Sequence, residues 1–123
     1  MNILFIDDDT DLHRYYQAVV SVIPDVDKVI TVDTERKFLY ALDKHRVDLI
    51  ISDLHMEPKS GAEILGDNKD RLTGIGIVLL SCADFLHGIG DELREQGVNI
   101  VAEFQKPLDP DELYDLLGFP TTK

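Results

Sequence analysis

The 123-residue chain has a single cysteine, Cys82, no tryptophan, and only 12 basic residues against 24 acidic ones. One cysteine excludes an internal disulfide and any multi-cysteine zinc site, and it fits a reducing compartment. The formal charge of -12 repels nucleic acid phosphates and anionic lipid, so neither is expected as a direct partner. No apolar run approaches membrane-spanning length, and Met1 leads almost directly into Ile3-Leu-Phe-Ile6 without a charged, cleavable leader; a cytoplasmic location is expected. Linkers, repeats and low-complexity segments are lacking too. At this length, with 44% hydrophobic residues, the expectation is one domain over residues 1–119, followed by a short tail at 120–123.

What is present is an alternation, repeated five times, of apolar runs with helical patterns. The runs beginning at Ile3, Val29, Leu49, Ile75 and Ile100 read as strands. Leu12, Tyr15, Tyr16, Val19, Val20 and Ile23 fall at the spacing of one helical face, which Pro24 ends. Phe38, Leu39 and Leu42 mark a second helix from about Thr34 to His45. Ser60 and Glu63 have capping-box spacing for a third, ending near Asn68. A fourth lies within Asp84 to Gln96 and is expected to be weakened by Gly88 and Gly90. Asp109, Pro110 and Asp111 open a fifth, which Gly118 ends. Five such pairs with short connections predict an α/β fold: a parallel five-stranded sheet, doubly wound in the flavodoxin-like order 2-1-3-4-5, with helices on both faces.

The chemistry is concentrated where strands stop. The first ends in Asp7-Asp-Asp9, the third in Asp53, the fourth in Ser81, and Lys106-Pro107 follows the fifth. Taken alone, Asp53 is a turn-starting residue. In the predicted order, however, strands one and three are neighbours at the switch point, so Asp7, Asp8 and Asp53 converge. Three close carboxylates call for a hard, oxygen-seeking cation such as Mg²⁺; zinc prefers nitrogen or sulfur ligands that are not offered. Without the ion, mutual repulsion raises at least one carboxylate pKa. A carboxylate, a metal, a hydroxyl and an ammonium group around one point suit the receipt of a phosphoryl group, with Asp53 as nucleophile and Ser81 and Lys106 pairing with the phosphoryl oxygens.

In that order and at those strand ends, these residues resemble a response-regulator receiver domain, the CheY-like phosphoacceptor module of two-component signalling. The resemblance covers essentially the whole chain. It implies paired metal-binding acids at Asp7 and Asp8, a phosphoacceptor at Asp53, a metal-binding backbone carbonyl at His55, the motif glycine at Gly61, the hydroxyl at Ser81, and a cis Lys106-Pro107 pair. It also implies Mg²⁺ as cofactor and a histidine kinase or phosphotransfer protein as phosphoryl donor. The module catalyses only its own phosphorylation and slow dephosphorylation, rather than acting as a metabolic enzyme. A stand-alone receiver signalling to a separate protein is the expectation; a non-phosphorylated interaction module, or a receiver cut from a longer regulator, are the alternatives.

The chain departs from the family pattern at three places. Pro58 lies one residue later than the motif proline, with Glu57 in its place; Cys82 replaces a very small residue; and Glu103 stands where an aromatic switch residue is usual. Glu103 is expected to stay solvent-facing, with switching through Ser81 and the helix after it. Asp9 and Asp11 read as helix-start acids, His13, His45 and His87 as surface or helix histidines, Cys82 as a small core residue, and Tyr15 and Tyr16 as helix packing. A haloacid-dehalogenase-like phosphatase is disfavoured because Asp11 occupies the position of its Thr or Val. A flavin binder is disfavoured because an acid triplet repels phosphate.

Overall fold

The computed structural model describes residues 1–82 and 88–118. The elements follow in chain order: β1 (Asn2–Ile6), α1 (Asp11–Ser21), β2 (Lys28–Val32), α2 (Glu35–Lys44), β3 (Leu49–Asp53), α3 (Gly61–Asp67), a 3-10 turn (Lys69–Arg71), β4 (Gly76–Ser81), α4 (Ile89–Glu95), β5 (Ile100–Gln105) and α5 (Pro110–Leu116). All strands are parallel, in the order β2-β1-β3-β4-β5. This is the doubly wound, flavodoxin-like arrangement expected from the alternation.

Successive strand residues point to opposite faces, and the core divides accordingly. Leu4, Ile6, Ile50, Ile77 and Leu79 pack with Phe38, Ala41, Ile64, Leu65 and Leu93 from α2, α3 and α4. Ile3, Phe5, Leu49, Ile51, Val78 and Leu80 pack with Tyr16, Val19, Val20 and Leu113 from α1 and α5. The central strand β3 is buried along its whole length, while β5 at the edge alternates. The β4–β5 ladder contains a register shift: Ile77 pairs with Ile100 and Val78 with Ala102, so Val101 is skipped.

Local chemistry starts α2, α3 and α5, at Ser60 and Asp109 as the sequence predicts and at Thr34 through a cap that the sequence did not single out. The Thr34 side chain accepts from the Lys37 N–H, Asp109 accepts from the Asp111 N–H with Pro110 opening α5, and Ser60 and Glu63 form a reciprocal capping box. The fourth helix differs from expectation. Gly88 lies outside it, at the N-cap with φ +80°, a conformation glycine adopts without steric cost, and only Gly90 is within. The expected earlier part of that helix, from Asp84 through His87, lies outside the described residues, as does the tail at 120–123. Among the described residues no helix is long and apolar enough to cross a membrane.

Candidate functional site

Backbone geometry brings the expected residues together at the carboxyl end of the sheet. Asp7 leaves β1 hydrogen-bonded through its N–H to Val32 O at 3.0 Å, and Asp53 is the last residue of β3, paired with Leu80. Ser81 ends β4 and pairs with Gln105, one residue before Lys106. The turn after Asp53 is held in place by the Gly61 N–H, which donates to Leu54 O at 3.1 Å. That approach requires glycine, because a Cβ at position 61 would run into the Asp53 carbonyl oxygen. Farther along the same turn, Lys59 Nζ joins Glu35 at 3.0 Å and Asp67 at 2.6 Å, tying it to α2 and α3.

Asp7, Asp53 and Ser81 are buried and Asp8 is exposed. Lys106 Nζ lies 2.9 Å from Asp7 Oδ2 and 3.1 Å from Asp53 Oδ1, so one ammonium bridges both buried carboxylates. Asp53 Oδ1 also accepts from the His55 N–H at 3.1 Å. Burial pushes the Asp53 carboxyl above its ordinary range; the His55 N–H pulls the other way, the Asp7 charge adds to the rise, and Lys106 opposes it. The expected rise is therefore present, but desolvation leads it and repulsion comes after. For Lys106, burial works against the charge, yet the paired carboxylates outweigh it and leave the ammonium above its ordinary value.

One carboxylate oxygen from each of Asp7, Asp8 and Asp53 lies within 4.8 Å of the other two. Opposed ligands of an octahedral Mg²⁺ stand about 4.2 Å apart, so a small side-chain adjustment gathers all three on one ion. The donor set is all oxygen and fits the hard cation expected. The Lys106–Pro107 bond is cis, and so is Glu57–Pro58 in the displaced loop.

The structure revises several expectations. Cys82, expected in the core, is exposed, because it follows the last residue of β4 and has left the sheet. His13 is a helix histidine, one of the two expected places, and lies half-buried on α1 with its Nε2 2.8 Å from Asp7 O. The exposed His55 places its Nε2 3.1 Å from Ser81 Oγ, which also donates to Cys82 O at 2.9 Å. Tyr15 is partly exposed and ties α1 to the loop before α5 by donating to Leu108 O at 2.6 Å. Glu103 is at the surface as expected, though not free: its carboxylate occupies the space a Cβ on Gly90 would need, with Oε2 3.7 Å from Arg94 Nη2. Tyr16, expected only to pack, stacks on Phe5 with ring centroids 4.5 Å apart and donates its hydroxyl to Asp7 Oδ2 at 2.6 Å. A tyrosine on the buried face of a helix carries a polar tip that needs a partner; that was the signal available in the sequence.

The class is thus a doubly wound α/β protein with an acidic, lysine-bridged site at its topological switch point. Within that class the chain belongs to the response regulator receiver domain family, whose model matches residues 3–117. Phosphoryl acceptance on an aspartate and Mg²⁺ binding are general to these signalling domains. The chain is similar to the transcriptional regulatory protein GlrR of Escherichia coli K12, at 28% identity over 90 residues, 72% of this chain and 19% of the relative. With MalR of Bacillus subtilis 168 it shares 25% identity over 99 residues, 80% of this chain and 42% of that protein. It therefore spans less than half the length of these relatives. Among solved structures, Vibrio cholerae CheY4 superposes with TM-score 0.77 at 21% identity, covering 94% of each chain. The receiver domain of an HD domain-containing protein from Pseudomonas fluorescens Pf-5 gives TM-score 0.77 at 24% identity, covering 94% of this chain and 90% of that one.

Proposed function

We propose that the chain is a receiver that accepts a phosphoryl group on Asp53 from the phosphohistidine of a histidine kinase or phosphotransfer protein, and signals through its altered surface to a separate protein. The observation that carries this reading is the single ammonium of Lys106 spanning Asp7 and Asp53. It pairs with two buried carboxylates at once and, on a flexible stem, can turn to a phosphoryl group carried by one of them. An Asp53 oxygen attacks phosphorus, and the phosphorus–nitrogen bond of the donor breaks with its electron pair returning to the imidazole. Lys106 and the Ser81 hydroxyl then pair with phosphoryl oxygens. Asp7, Asp8, Asp53 and the His55 carbonyl are the proposed ligands of Mg²⁺, which supplies charge neutralisation at the phosphoryl oxygens. The charge of -12 disfavours direct contact with nucleic acid.

Because the curated relatives are far longer, a second reading has the same receiver joined to an output domain in a longer protein; the complete reading frame decides between them. The phosphoacceptor reading is tested with acetyl phosphate and Mg²⁺, followed by intact mass. One phosphoryl group should appear, chelator should prevent it, and Asp53→Asn should abolish it. Asp8→Asn should weaken Mg²⁺ binding by roughly tenfold or more, as for loss of a charged ligand. Labelling of Asp53→Asn at the wild-type rate would overturn the assignment.

A further inference from the structure

The Asp7 carboxylate has more donors than a metal ligand needs. Oδ1 accepts from the Asp9 N–H at 2.9 Å, while Oδ2 accepts both from Lys106 Nζ at 2.9 Å and from the Tyr16 hydroxyl at 2.6 Å. Tyr16 is 2% exposed and held by its stack on Phe5, with 5° between the ring planes. Its hydroxyl is therefore a fixed donor, whereas Lys106, on a flexible stem, is the mobile one. If Lys106 turns to a phosphoryl group on Asp53, it leaves a buried oxygen behind. A buried carboxylate oxygen stripped of its donors is costly, and that cost opposes the departure of the lysine. With Tyr16 in place the oxygen keeps a strong partner throughout.

We propose that Tyr16 is a positioning residue of the acidic site: its hydroxyl stays on Asp7 Oδ2 and so releases Lys106 to the phosphoryl group. The proposal rests on the phosphoacceptor reading above. Its signature is a split between two ligands that a purely structural role does not produce. Without the hydroxyl, Asp7 holds Lys106 more tightly, so the phosphoryl group is bound less well. The cation draws on Asp8 and Asp53 as well as Asp7, so its affinity changes far less.

The test is Tyr16→Phe, which keeps the ring and its stack on Phe5. Mg²⁺ affinity is measured by titration, and beryllofluoride affinity is measured at saturating Mg²⁺. We expect Mg²⁺ affinity within about threefold of wild type and beryllofluoride affinity reduced about tenfold, the scale of one hydrogen bond to a charged group. In a Lys106→Gln background the Tyr16→Phe effect on beryllofluoride should disappear, because the hydroxyl acts through the lysine. Unchanged beryllofluoride affinity in Tyr16→Phe overturns the proposal, as does a parallel loss for both ligands. Should the variant fail to fold, wild type still decides: the Tyr16 hydroxyl proton, followed by NMR, should stay hydrogen-bonded without ligand, with Mg²⁺ and with beryllofluoride, and its loss in the last state refutes the idea. Failure of wild type to bind beryllofluoride at all would instead defeat the phosphoacceptor reading.

Discussion

Two junctions of the fold are closed by glycines, and they are closed against different things. At the turn from β3 into α3, Gly61 lies against the backbone carbonyl of Asp53. Where α4 crosses β5, Gly90 lies against the carboxylate end of Glu103. A carbonyl fixed in a central strand cannot yield, while the tip of a long side chain can rotate away. The frame of the acidic site is therefore rigid backbone against backbone, and the α4–β5 edge is an adjustable contact between a helix and a side chain. Asp53 must hold its position against Asp7 and Lys106, while a surface that carries a signal has to rearrange.

The contrast is sharpest in the two alanine substitutions. Gly61→Ala should destabilise by roughly 3 kcal/mol, as for overpacking against an immovable neighbour, and should impair labelling as well as the urea midpoint. A mild effect there would mean the turn is softer than its geometry implies and would erase the distinction.

An intermediate effect is expected from pH. The folded-state pKa of Lys106 is raised, so its pairing contributes fully below 10.5, the ordinary lysine value, and is lost as pH rises through the higher folded value. In urea denaturation above neutral pH, the stability gap between wild type and Lys106→Met should persist past 10.5 and narrow only on the alkaline side of that value. Asp53 has the opposite sign. Its raised carboxyl pKa means that holding the charge works against folding once pH exceeds the ordinary carboxylate range, so Asp53→Asn should not lower the stability of the unphosphorylated protein at neutral pH.

The smallest effect belongs to Gly90→Ala. Displacing Glu103 gives up a half-exposed pair with Arg94 worth about 0–1 kcal/mol, and alanine returns up to about 1 kcal/mol of helix propensity. The thermal midpoint should barely move. A loss as large as that of Gly61→Ala would show that Glu103 is locked in place and that the edge is as rigid as the centre.

The fold was legible because its signals are local. Apolar runs, caps at Ser60 and Asp109, and the stop at Pro24 all act within a few residues of the chain. Much of the site followed once strand order put the ends of the first and third strands side by side. What escaped were contacts between elements distant in sequence. Periodicity places Tyr16 on the inner face of its helix without naming the carboxylate its hydroxyl meets. It makes Gly90 a weak helix residue without revealing that Glu103 needs the space. Cys82 looked like core because it follows an apolar run, but the sheet ends one residue earlier.

The skipped residue in β5 has a consequence for counting along the strand. With Val101 passed over, Ala102 and Phe104 face α1 and α5, Glu103 faces α4, and Lys106 continues the phase of Phe104 toward the acids. Val101 is thus a surplus letter in an otherwise even line, and the strand could lose it without changing which way any later residue reads. A residue gained or lost between Ala102 and Gln105 has no such allowance: it puts everything downstream out of phase and turns the ammonium of Lys106 to the opposite side of the sheet from Asp7 and Asp53.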